Sequence, residues 1–470
     1  MVGFIVYDLA FMVLFTIVVI FLLHKDRKNL KRHGWLFLYY SKFGLRFIDW
    51  TAKKFEKILK PLQYVVITSG YLLMIFIVWL ISFTTYLYVT SPIPEQLRNV
   101  PPIAPLIPYF PRLFNLESIF PPLFFTYFLI ALAIVAVSHE FSHGIFARLN
   151  KIKVKTTGLA FFGPFFGAFV EPDEKQMQKS KKFQQLSILA AGTFANVVMS
   201  ILFVLILWWF FSISFAPAGV NFNTYPQAVI NLSLITMVGN NNINEISEIP
   251  DLIEDDFNEI IADGTLFLVR GESLKKAIEL KAEQIIVFDD APAVRARLRS
   301  PILSINGEQI TSPQELSREI KRNRPGDSIE IITLVDDNEI KQTIELAERD
   351  GKAYLGVGFL ERNRKGFVGS LFSLIQKIRD PFVHYEPVWD NNFPQFIYDL
   401  LWWIVIINIL VALFNMLPVS ILDGGRFFYL TIWGITGSEK FGKKAFAFTT
   451  WVILAFLALM MIKWFISFVS

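Results

Sequence analysis

His139-Glu140-Phe141-Ser142-His143 is the densest group of reactive side chains in the sequence. On a helix, residues four apart share a face, so His139 and His143 can turn two imidazoles toward one divalent ion. Glu140 projects beside them and can take a proton from water that the ion activates. This is the chemistry of metal-assisted hydrolysis. The competing reading treats the histidines as polar glue between buried helices. That reading must explain three ionisable groups within five positions of the apolar run Phe120 to Phe146. A charged group at the centre of a bilayer costs roughly 2.5–3.5 kcal/mol on insertion scales.

Two histidines and a base leave a metal shell incomplete. The chain has no cysteine, so the remaining ligand must be His or carboxylate. The residue six positions after His143, where one zinc-enzyme pattern places a further His, is Leu149. His24 and His33 flank or occupy a basic stretch, and His384 lies in a polar segment. Asp8, Asp399 and Asp423 are the carboxylates within or beside apolar runs, so the choice among them depends on the elements that carry them.

Of the 470 residues 53% are hydrophobic, and mean hydropathy is +0.46, values of an integral membrane protein rather than a soluble enzyme. Stretches at about 3–23, 64–89, 121–147, 184–213, 395–418 and 446–468 are long and apolar enough to span. The first lacks a basic leader and precedes basic residues, so a retained anchor is expected. Between the first two runs, eleven basic residues from Lys25 through Arg27 and Lys28 to Lys60 face only Asp26, Asp49 and Glu56. The positive-inside rule makes this stretch cytoplasmic. Ser91 to Pro122 then falls outside, Arg148 to Lys182 inside, 214–394 outside and Arg426 to Lys444 inside. His139 lies roughly 13 Å inside the edge that Arg148 marks, at 1.5 Å per residue. Asp423, three residues before Arg426, ends at that same side, whereas Asp8 and Asp399 fall at the opposite ends of their runs. Pro418 breaks the fifth run, and Leu422-Asp423-Gly424-Gly425 is expected to fold back as an irregular segment to the depth of the histidines. Metal ligation is thus expected from His139, His143 and Asp423, with Glu140 as base.

The long polar segment has a different grain. Pro301 to Gly307 reads as a strand ending in an Asn-Gly turn, and Ser312-Pro313-Gln314-Glu315 as a capping box. A turn at Arg324 to Asp327 leads to a strand at Ser328 to Val335, and a further turn at Asp336 to Glu339 to one at Ile340 to Leu346. Over 295–360 this order resembles a PDZ domain, with Tyr354-Leu355-Gly356-Val357 as its closing strand. The region 215–290 suggests an insertion or a degenerate second copy, with a helix-like acidic stretch from Asp251 to Ala262. The expected fold is a polytopic α-helical membrane protein of about six spans with an inserted soluble PDZ-like α+β domain. Its divisions are 1–119 (two spans and a basic loop), 120–213 (first part of the core), 214–394 (PDZ-like domain with insertion) and 395–470 (the aspartate-bearing part and last span).

The motifs together resemble the site-2 protease family of intramembrane zinc metalloproteases, in an archaeal-like form. His139 to Gly144 matches its first motif, and Asn415-Met416-Leu417-Pro418 through Leu422-Asp423-Gly424-Gly425-Arg426 its second. The resemblance implies Zn2+ on His139, His143 and Asp423, with Glu140 as catalytic base. Gly192 to Asn196 resembles an intervening element whose Asn196 would steady the substrate carbonyl or oxyanion. Phe162-Gly163-Pro164 through Glu171-Pro172 resembles a re-entrant β-loop that pairs with extended substrate. The implied substrates are membrane proteins, single-span and already shortened, cut as in regulated intramembrane proteolysis. The expected site is a multi-pass position in the cell membrane, with the active site toward the cytoplasm and the PDZ-like domain outside. Thr193 and Ser420-Ile421 depart from the family's proline-bearing patterns. Two other classes remain open at this stage: a metal transporter, which would need polar relays along the whole path, and a non-catalytic zinc-bound receptor using the PDZ-like domain. Nucleic-acid binding has no support beyond the basic stretch, which topology explains.

Overall fold

A computed structural model gives the architecture of the protein. It describes residues 2–25, 30–33, 36–42, 44–91, 100–103, 106–117, 120–162, 165–243, 245–254, 256–335, 338–360, 378–389 and 391–469. Asp26, Arg27 and Lys28 of the basic stretch, parts of Ser91 to Pro122, Gly163-Pro164 of the expected β-loop and Asp336 of the expected turn lie outside the described residues. The chain forms two compact units, Met1–Phe210 with Gln395–Ser470, and Phe211–Pro394.

The first unit opens with helix α1 (Val2–Lys25), a hairpin of β1 (Leu30–His33) and β2 (Leu36–Ser41), and helices α2 (Leu45–Lys54) and α3 (Glu56–Thr90). The basic stretch is therefore not a plain loop. Its aromatic and aliphatic run Leu36 to Tyr40 suits a strand, and Ile48 and Ala52 make a buried face on α2. After a short α4 (Phe110–Leu113) comes α5 (Phe125–Leu149), which carries the His-Glu motif. Strands β3 (Val154–Phe162) and β4 (Phe165–Pro172) follow, then α6 (Glu174–Lys179) and α7 (Lys182–Ser214). The first four strands form one antiparallel sheet in sequence order, with β2 paired to β3.

Two buried polar contacts hold α5 at its two ends. Asp8, on α1, accepts hydrogen bonds from Phe125 N (2.7 Å), Thr126 N (3.0 Å), Thr126 Oγ1 (2.6 Å) and the Tyr109 hydroxyl (2.7 Å). It thereby serves as a cap from another helix, satisfying first-turn N–H groups that α5 cannot satisfy itself. At the other end, Gln63 Oε1 on α3 accepts from Asn150 Nδ2 (2.9 Å) and from Ser187 Oγ on α7 (3.0 Å). An apolar core of this unit includes Ile48, Val66, Phe146, Ala190, Met416 and Phe427.

The second unit begins with β5 (Phe215–Val220), then β6 (Gln227–Asn231), β7 (Ile235–Val238), β8 (Asn241–Asn242), a 3-10 segment at Ile246–Leu252, β9 (Phe257–Ala262), β10 (Thr265–Arg270), α8 (Gly271–Glu279) and β11 (Gln284–Asp289). It continues with α9 (Pro292–Arg295), β12 (Ile302–Ile305), β13 (Glu308–Gln309), α10 (Pro313–Arg322), β14 (Ser328–Val335), β15 (Asn338–Glu345), β16 (Ala347–Arg349), β17 (Lys352–Tyr354) and β18 (Val383–Pro387). One sheet runs β6-β11-β10-β9-β7-β8; another runs β15-β14-β12-β5-β18, with β13 on β12. The same sequence of pairings occurs in both. A short hairpin (β7–β8, β12–β13) leads to a helical segment and then a second hairpin (β9–β10, β14–β15) whose first strand returns beside the first. The acidic stretch expected to be helical is strand from Phe257, and its Asp263-Gly264 turn has φ of 51° and 74°. Those angles match a two-residue hairpin turn, as do 52° and 81° at Asn306-Gly307. The expected closing strand ends at Tyr354, because Gly356 takes a left-handed φ of 86°. The capping box forms: Glu315 N donates to Ser312 Oγ (3.2 Å), while Glu315 Oε2 accepts from Thr311 N (2.9 Å) and Oγ1 (2.6 Å).

The chain returns to the first unit as α11 (Phe393–Asn415), α12 (Asp423–Thr436) and α13 (Glu439–Val469). Leu422 to Gly425 is not an irregular segment as expected. Turns and bends occupy 416–422, and Asp423 begins a helix. Gly424 permits this: a Cβ there would lie 2.3 Å from the Met416 carbonyl carbon. Among the described residues, α1, α3, α5, α7, α11 and α13 are long and apolar enough to cross a membrane.

Candidate active site

Three ligand-type atoms from two distant parts of the sequence converge. His139 Nε2 and His143 Nε2 are 3.0 Å apart, and Asp423 Oδ2 is 3.2 Å from each. Helix α5 supplies the imidazoles one turn apart, and the first residue of α12 supplies the carboxylate. Tetrahedral zinc with bonds near 2.0–2.1 Å separates neighbouring ligand atoms by about 3.3 Å. The observed triangle is close to that size. Among the described residues, this is the group of His and carboxylate side chains placed to hold an ion.

The surroundings fit a metal as well. His143 Nδ1 lies 2.7 Å from the Ile188 carbonyl on α7, which accepts its N–H and leaves Nε2 with a free lone pair. A Cβ built on Gly192 of α7 would stand 2.5 Å from His143 Nε2 and 2.6 Å from His139 Nε2. Glycine at this position keeps a side chain out of the space where the donor atoms meet. His139 and His143 are buried, and Asp423 is partly exposed.

Glu140, on the same helix, does not join the triangle. Its Oε2 accepts from Val170 N at 2.9 Å. Val170 lies on β4, which among the described residues is the edge strand of its sheet. Its N–H therefore points away from β3, and by alternation those of Ala168 and Phe166 point the same way. The Glu140 carboxylate thus lies against the outward edge of this strand.

Asn196 is fully buried on α7. The resemblance implies an amide turned toward substrate, but in the structure both ends of that amide have partners within the protein. Asn196 Nδ2 is 3.1 Å from His139 Nδ1, and the Ser138 hydroxyl donates to Asn196 Oδ1 at 3.3 Å. Among the described residues, the converging group does not include the other candidates. His24, His33 and His384 lie on α1, β1 and β18. Asp8 caps α5, and Asp399 accepts from Gln395 Nε2 at 2.8 Å. Sequence reasoning assigned nothing to Ser138 or Ile188, and named Gly192 and Val170 only as parts of the two elements that carry the resemblance. One usable signal existed: Gly192 and Asn196 are four apart and so share a helix face.

With this geometry in hand, known proteins supply the comparison. The model of peptidase family M50 matches residues 127–460, a span that takes in both histidines, Glu140 and Asp423. Over 205 residues the chain is 23% identical to the zinc metalloprotease RasP of Shouchella clausii, covering 38% of this chain and 49% of that protein. Over 179 residues it is 29% identical to an uncharacterised protein of Methanocaldococcus jannaschii, covering 37% of this chain and 44% of the other. The chain thus spans about half the length of the curated relatives it matches. A crystal structure of the PDZ domain of an SdrC-like protein from Listeria monocytogenes aligns with 24% identity to 15% of this chain and 78% of its own, at a TM-score of 0.14. The family match extends over well more than half of the sequence and contains the converging ligands, and the chain belongs to peptidase family M50, the site-2 protease family.

Proposed function

We propose that this chain is an intramembrane zinc metalloendopeptidase that cuts membrane proteins within or near their spanning segments. The observation that carries this reading is the triangle of His139, His143 and Asp423, with Glu140 on the same helix beside a free strand edge. In this reading the six long apolar helices cross the cell membrane, with the site toward the cytoplasm. Zinc held by the three groups would supply Lewis acidity, polarising a peptide carbonyl and acidifying water. Glu140 would take the proton of the attacking water and return it to the leaving nitrogen.

A helical substrate hides its peptide groups in hydrogen bonds and must unwind before it reacts. Addition to the edge of β4 would hold the unwound segment, with the N–H groups of Phe166 and Ala168 as donors and Glu140 against the next one, on Val170. The substrates proposed are single-span proteins already shortened by another cut, as in regulated intramembrane proteolysis. The second unit would filter or tether them. Its groove of about 560 Å³ between α10 and residues 353–359, lined in part by Leu316, Ile320, Leu355 and Val357, is suited to an apolar peptide.

The test uses full-length protein in detergent, with zinc quantified and cleavage of a model single-span protein followed on gels. Glu140→Gln should keep its zinc and lose cleavage by about 10²–10⁴-fold. Full cleavage by that variant would remove Glu140 as base. Asp423→Asn should lose zinc and cleavage together, and unchanged zinc stoichiometry would remove it as a ligand.

A further inference from the structure

We propose that the Asn196 amide, with the Ser138 hydroxyl against it, is a positioning group that holds the His139 ring through Nδ1 and accepts a hydrogen bond from the Nδ1 proton when Nε2 is to bind the metal. The proposal rests on the zinc-site reading above. An imidazole offers a bare Nε2 only when its proton sits on Nδ1, and that N–H needs an acceptor. For His143 the acceptor is the Ile188 carbonyl, which can only accept. His139 is served differently. The group against its Nδ1 is a primary amide, fully buried and carried by another helix.

An amide has a donor end and an acceptor end, and a hydroxyl can complement either. In the arrangement seen here Asn196 Nδ2 faces His139 Nδ1, and the Ser138 hydroxyl is placed to donate to Oδ1 at 3.3 Å and to Val135 O at 3.1 Å. His139 then accepts at Nδ1 and carries its proton on Nε2, which lies 3.2 Å from Asp423 Oδ2. This tautomer closes the triangle on itself. A half-turn of the amide places Oδ1 against an Nδ1–H, while Ser138 changes from donor to acceptor. His139 Nε2 is then free for an ion. In both arrangements His139 Nδ1 and the Asn196 oxygen have a partner, because Ser138 can donate to Val135 O while it accepts from the amide, so the Ser138–Asn196 pair lets His139 exchange tautomers. A substrate-facing amide would need neither the contact with Nδ1 nor the brace from Ser138.

The experiment compares wild type, Asn196→Leu, Asn196→Asp and Ser138→Ala as full-length proteins in detergent. Zinc affinity is measured by competition with a chromophoric chelator, and ligand geometry from the visible bands of the cobalt(II)-loaded protein. Asn196→Leu removes the acceptor at similar volume and should weaken zinc by about 10–100-fold and alter the cobalt bands. Asn196→Asp keeps an acceptor at Nδ1 and should hold zinc within a few-fold of wild type. Ser138→Ala should weaken zinc by less than Asn196→Leu does. Melting with excess chelator present separates these effects from loss of folding; if Asn196→Leu does not fold, Asn196→Asp and Ser138→Ala decide. The proposal is overturned if Asn196→Leu binds zinc as tightly as wild type and loses only turnover, or if Asn196→Asp loses zinc. Wild type that binds no zinc would instead overturn the zinc-site reading itself.

Discussion

Where the three ligand atoms meet, the structure tolerates less than one methyl group. Gly192 is the residue that sets this limit, because its missing side chain is the space between the two Nε2 atoms. Gly192→Ala would force either the α7 backbone or an imidazole to move. We expect it to fold, to bind zinc well below wild-type stoichiometry and to lose cleavage in parallel. Metal analysis on the purified variant checks this, and full zinc occupancy would show that α7 can yield. The ligands differ in how firmly they are held. A fixed backbone carbonyl orients His143, whereas a side chain that can rotate orients His139.

Among the elements, α5 is held less by its own sequence than by its neighbours. Its N-terminus is capped by a carboxylate more than a hundred positions earlier, and its C-terminal Asn150 binds a glutamine from α3. The first two long helices thus have a structural task that their composition does not suggest: they fix the two ends of the motif helix. Asp8→Ala would leave the buried Phe125 N–H without its acceptor, at about 1–3 kcal/mol, and the part-buried Thr126 N–H with a smaller loss. The expected result is a lower melting temperature in detergent, with a smaller drop for Asp8→Asn, which keeps one acceptor oxygen. In the second unit, the hydrogen bonds from the Thr311 hydroxyl and N–H hold the Glu315 carboxyl below its ordinary value of 4.5. A lowered carboxylate pKa stabilises the fold fully above the ordinary value and loses that contribution as pH falls through the lowered one. Protection of the amides at the start of α10, taken relative to their intrinsic exchange rates, should accordingly fall on acidification below pH 4.5 in wild type. Glu315→Gln should flatten that response.

At the scale of the whole molecule, the question is which way the chain crosses the bilayer. With no cysteine in the sequence, single-cysteine variants report without background. Under the proposed orientation, Lys53→Cys on α2 should react with a membrane-impermeant maleimide only after cells are opened, and Arg318→Cys on α10 should react in intact cells. The reverse pattern would invert the topology and place the site toward the other face. The repeated pairing order in the second unit shows a single supersecondary plan used twice. In the first copy a 3-10 segment stands in the place of α10, and α8 packs against it. In the second, α10 borders an open groove.

The residues of the candidate site were legible in the sequence because each constraint on them is local. Helical spacing pairs His139 with His143, the lack of cysteine restricts the ligands, and the charge distribution singles out Asp423 among three aspartates. The apolar runs, the Asn306-Gly307 hairpin and the Ser312 cap follow from short-range chemistry of the same kind. Other features depended on partners far away in the chain. The Asp263-Gly264 hairpin signal was present, but the acidic residues around it favoured a helical reading until Phe257 and its neighbours found β7 and β10. Nothing near Asp8 in the sequence indicates that it caps a helix beginning at residue 125. Nor does anything near Val170 indicate that its N–H meets Glu140. Spacing along the chain determines which side chains can share a face. What those side chains bind is decided by hydrogen-bond donors and acceptors that only packing brings within bonding distance, and that step belongs to the tertiary structure.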